Sequence, residues 1–386
     1  MRKDSEADAI EEMAFAADCS QSRTMDATHM SNTKRLEALR NHVDYLASPE
    51  LEGRAPGTPG GLLARRHVEN AFASIGLHPA GDDGYRQPIP EIGGANLLGI
   101  IPGSGPHADR YVVVAAHYDH LGVNFGHIYH GADDNASAVA VLLDLAMRLA
   151  EEGDLDRSVL VASFDAEEPP HFYTENMGSS YFVANPTVPL AQVDMMVCLD
   201  LVGHPFGPRE LPASVRDTIL IMGAEKSPGI GAVVDRLGQA TAGVVPRRLD
   251  ADIIPPMSDH YAFQQSGIPF LFFTLGRDRY YHTPEDTPEK LDYPKMLALA
   301  DYLVSLTREL AARDGFTFEA DAVDDAATLA TLVELGHHAG PLARKPEQVM
   351  ALIRKLQQRM ERGAQLTHGD RGTLRAAIIA IEEALA

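Results

Sequence analysis

Short apolar runs, several of them followed at once by acidic or histidine residues, constrain the fold of this 386-residue chain more than any other feature. Continuous apolar runs predict strands of a sheet that is covered on both faces. Residues 136–150, which lie between two of these runs, have apolar side chains at helical spacing, and the order strand, helix, strand is typical of a parallel βαβ unit. The predicted strands are 97–101, 111–116, 159–164, 195–199, 219–222 and 270–274.

The chain divides into three segments by pattern. Residues 1–33 are polar without sustained periodicity, and we expect a mobile N-terminal tail. Residues 34–312 contain all the predicted strands and form the expected catalytic domain. Residues 313–386 hold amphipathic helical patterns without a catalytic signature, so we expect a C-terminal helical extension that packs on the main domain or forms a homo-oligomer contact. The predicted fold class is α/β, with a mixed, mostly parallel central sheet and helices on both faces.

The composition argues against several classes of protein. The formal net charge is −22, whereas nucleic-acid binding needs a basic surface, so we expect no nucleic-acid partner. Cys19 and Cys198 are the only cysteines, and they allow neither a disulfide framework nor a zinc site built from cysteine. Residues 1–30 lack the apolar core of a signal peptide, and no stretch reaches the roughly 20 apolar residues that span a bilayer. We therefore expect a cytoplasmic protein without a membrane partner.

Acidic and histidine side chains collect where predicted strands end. Sites in such sheets form at the carboxyl ends of the strands, and crowded carboxylates there shift their pKa values or bind cations. Histidine mixed with carboxylate, without thiolate, suits zinc or a similar divalent ion, and the set exceeds what one tetrahedral zinc needs, which predicts two ions. Taken singly, each group also has a structural interpretation, such as a helix N-cap for an Asp pair. The residues are His117, Asp119, Asp133, Asp134, Glu167, Glu168, Asp200, His282 and Asp286.

The motifs around these residues resemble those of metallopeptidase family twenty-eight, the co-catalytic zinc aminopeptidases and their relatives. The resemblance covers residues from about 40 to 310 and implies the zinc aminopeptidase (phosphorylase/hydrolase-like) fold and hydrolysis of peptide bonds. The motifs are LASPELEGRAPGTPGG at 46–61, AAHYDHLG at 115–122, GADDNASAVA at 131–140, FDAEE at 164–168, CLDLVG at 198–203, SDHYAFQQSGIPFL at 258–271 and YYHTPEDT at 280–287.

The resemblance implies a ligand set for two Zn²⁺ ions. Asp133 is expected to bridge both ions. His117 and Asp200 would complete the ligands of one ion. Glu168 and His282 would complete the ligands of the other ion.

The resemblance also assigns roles around the metals. Glu167 matches the general base, and Asp119 matches the carboxylate that holds the first metal-binding histidine. Tyr281 stands where some relatives place a phenol near the developing oxyanion. Asp134, Asp286 and His260 are expected to surround the ligands without binding a metal, and the peptide bond between residues 133 and 134 is often cis in relatives.

The chemistry of the adjacent glutamates agrees with these roles. In an extended backbone, neighbouring side chains point to opposite sides, so Glu167 and Glu168 cannot both face the same ion. One of them can bind a metal while the other takes a proton from the attacking water and passes it to the leaving amine. The residues alone do not say which glutamate has which role, and the resemblance assigns the base to Glu167.

Two loops lie near the expected metal site, one after each of the predicted strands 159–164 and 111–116. Residues 169–177 are extra relative to common members of the family, and we expect them to extend a loop over the mouth of the site. His120, His127 and His130 of the first loop could each be a further ligand, but exposed loop residues are the favoured interpretation.

These features favour an aminopeptidase that acts on a peptide or small amide with a free N-terminus. A glutaminyl cyclase of the same fold is an alternative, and the presence of His117 is the feature that disfavours it. A carboxypeptidase or other amidohydrolase would need a cation near the site, which Arg277 or Arg279 could provide. A non-catalytic binding member of the fold is a further alternative, although every expected ligand and the expected base are present.

Overall fold

The computed structural model describes residues 30–339 and 346–385. Most of the predicted tail, 1–33, therefore lies outside the described residues. Within the described part of the chain, the residues from Leu36 onward form one compact unit.

A nine-stranded sheet is the centre of this unit, and a separate two-stranded hairpin, β5 with β6, lies outside it. The strands are β1 (His78–Pro79), β2 (Arg86–Ile89), β3 (Gly94–Ile101), β4 (His107–His117), β5 (Val123–Asn124), β6 (His127–Ile128), β7 (Arg157–Phe164), β8 (Val193–Leu199), β9 (Thr218–Met222), β10 (Val245–Leu249) and β11 (Phe270–Thr274).

Eleven α-helices accompany the strands in the described part of the chain. They are α1 (Asn32–Leu46), α2 (Pro59–Ile75), α3 (Ala138–Glu152), α4 (Gly178–Ala184), α5 (Ala213–Arg216), α6 (Ile230–Ala240), α7 (His260–Gln265), α8 (Tyr293–Ala312), α9 (Asp325–Ala339), α10 (Pro346–Glu361) and α11 (His368–Leu385). An irregular turn, Ala132–Ser137, precedes α3, and short 3₁₀ helices occupy Pro49–Leu51, Pro90–Ile92, Leu190–Gln192, Ala224–Lys226 and Pro288–Lys290. None of the described helices combines the length and apolarity that crossing a bilayer requires.

The strand order across the sheet is β1-β3-β7-β4-β8-β11-β9-β10, with β2 paired to β3. The central pairs β4–β7, β4–β8 and β8–β11 are parallel, as is β9–β10, whereas β3–β7 and β9–β11 are antiparallel. The predicted α/β fold with a mixed, mostly parallel sheet is confirmed. Because β4, β7, β8 and β11 run in the same direction, the residues after them meet at one edge of the sheet.

The central strands β7 and β8 are fully buried, as is the second half of β4, which follows from their continuous apolar runs. Every residue of β7 and of β8 is buried, and α3 and α8 pack against β4 with long apolar faces. A sheet covered on both faces has no water at its strand ends except where loops leave a cavity. This burial makes polar groups at the strand ends costly unless they are paired or bind ions.

The C-terminal helices pack on the edge of the sheet formed by β10. α9 lies against β10, and α10 and α11 pack on α9 and on each other. Arg247 on β10 donates to Glu334 on α9 at 2.8 Å, and the hydroxyl of Thr331 donates to the carbonyl of Arg248 at 2.9 Å. These contacts hold the helical extension against the edge strand.

Candidate metal centre

The first group of ligand-type side chains lies at the ends of β4 and β8. His117 is the last residue of β4, and its Nε2 lies 3.4 Å from Oδ1 of Asp200, the residue that follows β8. The same Nε2 lies 3.5 Å from Oδ1 of Asp134. All three side chains are buried, and their ligand atoms are close enough together to hold one metal ion.

The second group lies beside the first and uses the other oxygen of Asp134. Nε2 of His282 lies 3.1 Å from Oδ2 of Asp134 and 3.2 Å from Oε2 of Glu168. Nδ1 of His120 lies 2.7 Å from Oε1 of Glu168. His120, Asp134 and Glu168 also have ligand atoms close enough together for one ion.

Asp134, rather than Asp133, is the carboxylate that the two groups share, which corrects the position expected from the resemblance. Asp133 faces the loop after β8, where its Oδ1 accepts the amides of Gly203 at 2.7 Å and His204 at 3.1 Å. Its Oδ2 lies 2.6 Å from Nδ1 of His204. The cis peptide bond is likewise displaced by one residue and lies between Asp134 and Asn135.

The two groups fit metal ions better than they fit an ion-free core. Nε2 of His117, Nε2 of His120 and Oδ1 of Asp200 are buried without a hydrogen-bond partner among the described residues. Leaving such atoms unpaired costs free energy, which a bound cation would recover. Imidazole with carboxylate and no thiolate is a donor set that suits zinc. His117, Asp134 and Asp200 would hold one ion, whereas Asp134, Glu168 and a histidine would hold the other.

Electrostatics also favour added positive charge. Burial alone lowers the pKa of His117, but the carboxylates of Glu167 and Asp200 raise it well above its ordinary value. Burial raises the pKa of Asp200, and the charge of Asp134 adds to the rise. The acidic groups therefore stabilise positive charge at the imidazole in the absence of an ion, which is the role that a divalent cation fills.

Glu167 stands beside the first group without belonging to it. Its Oε2 lies 3.8 Å from Nε2 of His117, and burial, together with the charges of Asp200 and Glu168, raises its pKa well above the usual range. Its backbone amide donates to Oδ1 of Asp119 at 3.1 Å, and Oδ1 also lies 3.5 Å from Nδ1 of His117. Asp119 thus orients both the expected base and the first histidine.

The turn that presents Asp134 is held from two sides. Asp286 accepts the amide of Asp133 at 2.9 Å and that of Asp134 at 3.1 Å. Arg54 is fully buried and donates to the carbonyl oxygens of Tyr118 at 2.7 Å and Asp134 at 3.0 Å, with further bonds to three other carbonyls. Arg54 therefore ties the loops after β4 to the turn before α3.

Tyr281 and His260, which the resemblance places near the metals, do not belong to either ligand group. The ring of Tyr281 stacks on that of His282 with centroids 3.8 Å apart, and burial raises the pKa of Tyr281 above its ordinary value. His260 is buried, stacks on the rings of Phe270 and Phe272, and takes part in neither group. Burial lowers the pKa of His260 to about 3, as expected for an imidazole surrounded by aromatic rings.

Sequence reasoning missed three residues of the site. His120 was expected to be an exposed loop residue, but it is fully buried against Glu168, because its loop folds inward. His204, which is bound by Asp133, lines the cavity over the groups. Arg54 lies in the Gly- and Pro-rich loop of the first motif, and this position was the only feature of the sequence that could have indicated its role in the site.

A cavity of about 380 Å³ opens over the ligand groups and includes Asp134, Glu167, Glu168 and Asp200 in its lining. The loop 169–177 lies at this cavity, where the sequence predicts it, and contributes Pro169, Phe172 and Tyr173 to the lining. The Tyr173 hydroxyl donates to the carbonyl of Pro256, which also lines the cavity. The remaining lining is mostly apolar and includes residues of α9 and α11.

Comparisons with known proteins find relatives in sequence and a similar fold among solved structures. The sequence is 28% identical over 291 residues to the uncharacterized protein YfbL of Escherichia coli strain K12, covering 70% of this chain and 87% of that protein. It is 26% identical over 276 residues to a glutaminyl-peptide cyclotransferase of Boiga irregularis, covering 64% of this chain and 74% of the relative. A crystal structure of a Zn-dependent exopeptidase from Parabacteroides distasonis superposes with a TM-score of 0.55 at 19% identity, covering 73% of this chain and 99% of that one.

The family model described as peptidase family M28 matches residues 96–307, which include β4, β7, β8, β11 and all the residues of the two ligand groups. This chain belongs to peptidase family M28.

Proposed function

We propose that this protein is a dinuclear zinc aminopeptidase that releases residues from the free N-terminus of a peptide. The observation that carries the proposal is the arrangement of the buried carboxylate of Asp134 between two ligand groups, with Glu167 at their side. A carboxylate shared in this way would allow the two groups to hold two metal ions side by side, as in two-metal hydrolytic sites. The named function of the Parabacteroides distasonis structure, a Zn-dependent exopeptidase, agrees with this proposal.

Each residue of the site has a defined task in hydrolysis. Bound zinc would polarise the scissile carbonyl and lower the pKa of water at the site. Glu167 accepts a proton from the attacking water at its carboxylate and later donates it to the leaving amine. Asp119 holds the Glu167 backbone and the His117 ring in place, because it contacts both. Tyr281 lines the cavity, where its hydroxyl can donate to the developing oxyanion.

The two arginines near the site, Arg277 and Arg279, do not provide a binding site for a carboxylate at the substrate terminus. Arg277, one of the arginines that the carboxypeptidase alternative needs, is held by Glu382, with Nη2 to Oε2 at 3.0 Å and Nε to Oε1 at 3.2 Å. Arg279 stacks on the ring of Tyr280 and is not in the cavity lining. Neither arginine is therefore free to pair with a substrate carboxylate, which disfavours the carboxypeptidase alternative.

A glutaminyl cyclase is the second candidate, and the cyclotransferase relative of Boiga irregularis is the observation that favours it. Cyclisation also uses a free N-terminus, but it requires an N-terminal Gln and releases ammonia without removing a residue. The reaction product therefore separates the two candidates.

Mass spectrometry of a mixed-sequence peptide tests the proposal. We expect stepwise loss of N-terminal residues from the free peptide and no change in the same peptide acetylated at its N-terminus. Treatment with a chelator should abolish the reaction, and added zinc should restore it. Loss of ammonia alone from a peptide that begins with Gln would support the cyclase instead. Trimming of both peptides from the C-terminus would overturn the aminopeptidase.

A further inference from the structure

The cavity over the ligand groups extends across one face of the sheet as far as β10. Its lining includes Leu220 and Met222 of β9, Leu249 of β10 and Phe272 of β11, and α9 and α11 contribute to it as well. In the strand order, β10 is separated by β9 and β11 from β8, whose end is followed by Asp200. Neighbouring strands lie about 4.8 Å apart, so the lining at β10 lies roughly 14 Å from the ligand groups.

Two arginines line this cavity, and they differ in their partners. Arg277 forms an ion pair with Glu382, which also lines the cavity, with 3.0 Å between Nη2 and Oε2. Arg375 of α11 is exposed, and no carboxylate in the described part of the chain forms an ion pair with it. The guanidinium of Arg375 is therefore the one in this lining that can still bind an anion.

Arg375 is held near the end of β10 by a backbone contact. Its Nε donates to the carbonyl of Ile253, and the amide of Ile253 donates to the carbonyl of Asp250 at 3.2 Å, one residue after β10. The same loop continues to Pro256, which the Tyr173 hydroxyl contacts from the loop 169–177. Because only Nε is used, the two terminal nitrogens of the guanidinium retain donors for a planar acceptor such as a carboxylate.

We propose that Arg375 binds the C-terminal carboxylate of a short peptide whose N-terminal residue lies at the ligand groups. This inference rests on the proposed aminopeptidase function. An extended peptide covers about 3.4 Å per residue, so a span of roughly 14 Å corresponds to about four residues. The bond that is cut is still the first one, so a free N-terminus remains necessary. α11 lies beyond residue 307, where the match to the family model ends, so membership of the family does not explain this contact.

Peptide length and the C-terminal group are the variables of the test. The assay measures kcat/KM for release of Leu by the zinc-loaded full chain from peptides of Leu followed by Ala residues, each as the free acid and as the C-terminal amide. For the wild type, we expect the acid to exceed the amide by roughly 5- to 30-fold at about three to five residues, between the effects of an exposed ion pair and of a hydrogen bond to a charged group. The ratio should approach one in longer peptides and should fall as salt is added.

Arg375→Gln should bring the ratio of acid to amide to within about two-fold of one and leave kcat/KM for the amides nearly unchanged. Arg375→Lys keeps the charge without the planar fork, so it should retain part of the preference. Arg354→Gln is the matched control, because Arg354 is exposed on α10, donates from Nε to the carbonyl of Met350 at 3.2 Å and does not line the cavity. A merely structural role of Arg375 would lower kcat/KM for acids and amides alike, so an unchanged ratio in Arg375→Gln would overturn the proposal.

An acidic side chain could offer the same carboxylate chemistry, and a second pair of substrates separates the two sources. These are tetrapeptide amides that end in Glu or in Gln. We expect the Glu amide to exceed the Gln amide by less than the free acid exceeds its amide, because its carboxylate lies on a side chain and not at the end of the backbone. If only the Glu amide is preferred, and Arg375→Gln abolishes that preference, assignment of the C-terminus is wrong.

Calorimetry separates failure of this inference from failure of the proposed function. The tetrapeptide acid and amide are titrated into zinc-loaded Glu167→Gln, with and without Arg375→Gln. If the acid binds roughly 5- to 30-fold more tightly only when Arg375 is present, but the wild type releases no Leu from any peptide, the carboxylate site stands and the aminopeptidase proposal fails. If the wild type cuts acids and amides equally well at every length, the aminopeptidase stands and the role of Arg375 is refuted.

Discussion

Replacing Asp134 by Asn should remove both metal ions, whereas replacing Asp133 by Asn should not. Asp134 places Oδ1 3.5 Å from Nε2 of His117 and Oδ2 3.1 Å from Nε2 of His282, so it contacts both ligand groups. Asp133 instead binds His204 and the amides after β8. The resemblance to relatives implied the opposite assignment, so this pair of variants tests the structure directly.

The magnitude follows from the charge that Asp134→Asn removes. A carboxylate and a divalent ion attract each other by about 8 kcal/mol at roughly 4 Å and an effective dielectric constant of about 20. Even one third of this energy would weaken zinc binding at each group by about 100-fold. In Asp133→Asn the new side-chain amide could still accept a hydrogen bond through its oxygen, and Asp133 supports the site only through neighbouring residues. This variant should therefore weaken zinc binding by at most roughly 10- to 100-fold.

The assay is metal analysis of the purified protein, followed by competition with a fluorescent zinc chelator. The wild type should contain two zinc ions, Asp134→Asn close to none, and Asp133→Asn two that are released more easily. Circular dichroism checks that both variants fold. If folded Asp134→Asn retains both ions while Asp133→Asn loses them, the geometric assignment of the shared carboxylate is wrong.

Three further changes test the base, the buried arginine and a buried acid. Glu167→Gln should keep its metal content but lose at least about 10²–10⁴-fold in kcat, and unchanged turnover would remove it as the base. Arg54→Lys cannot make the same set of bonds to carbonyl oxygens, so it should lower the free energy of unfolding by about 3–5 kcal/mol, and an unchanged denaturant midpoint would contradict this. Burial raises the pKa of Glu225 from 4.5 to about 7, so the folded state holds this proton more tightly than the unfolded chain does. The wild type should therefore lose up to about 3 kcal/mol of stability between pH 4 and 8 relative to Glu225→Gln, and equal pH profiles in chemical unfolding would refute this.

The sheet could be predicted from the sequence wherever strands are continuously apolar. All six predicted strands are present, and the structure extends most of them by a few residues. The edge strand β10 was missed, because Val245–Leu249 contains Pro246, Arg247 and Arg248 and has no apolar run. The buried guanidinium of Arg247 donates to Ser214, Thr218 and Glu334, and these partners are distant in sequence.

The ligand types could be predicted as well, but not the direction in which each side chain points. Asp133 and Asp134 lie in a turn where residue 134 has φ −106° and ψ 88°, so neither helical nor strand periodicity applies to them. The direction of Asp134 depends on Asp286 and Arg54, which bind this turn from distant parts of the chain. The inward position of His120 has the same origin, since Arg54 also binds the carbonyl of Tyr118 two residues earlier.

The C-terminal helices show why an amphipathic pattern alone does not reveal that a helix lines a cavity. Apolar residues at helical spacing, such as Leu332 and Leu335 on α9, predict only that one face of the helix is buried. The same pattern would be produced by packing on the main domain, by an oligomer contact or by lining a cavity. Only the position of α9 on β10, beside β9 and β11, places this face over the strand ends where His117 and Asp200 lie. A segment without a catalytic signature can therefore form part of the wall of the cavity over the ligand groups.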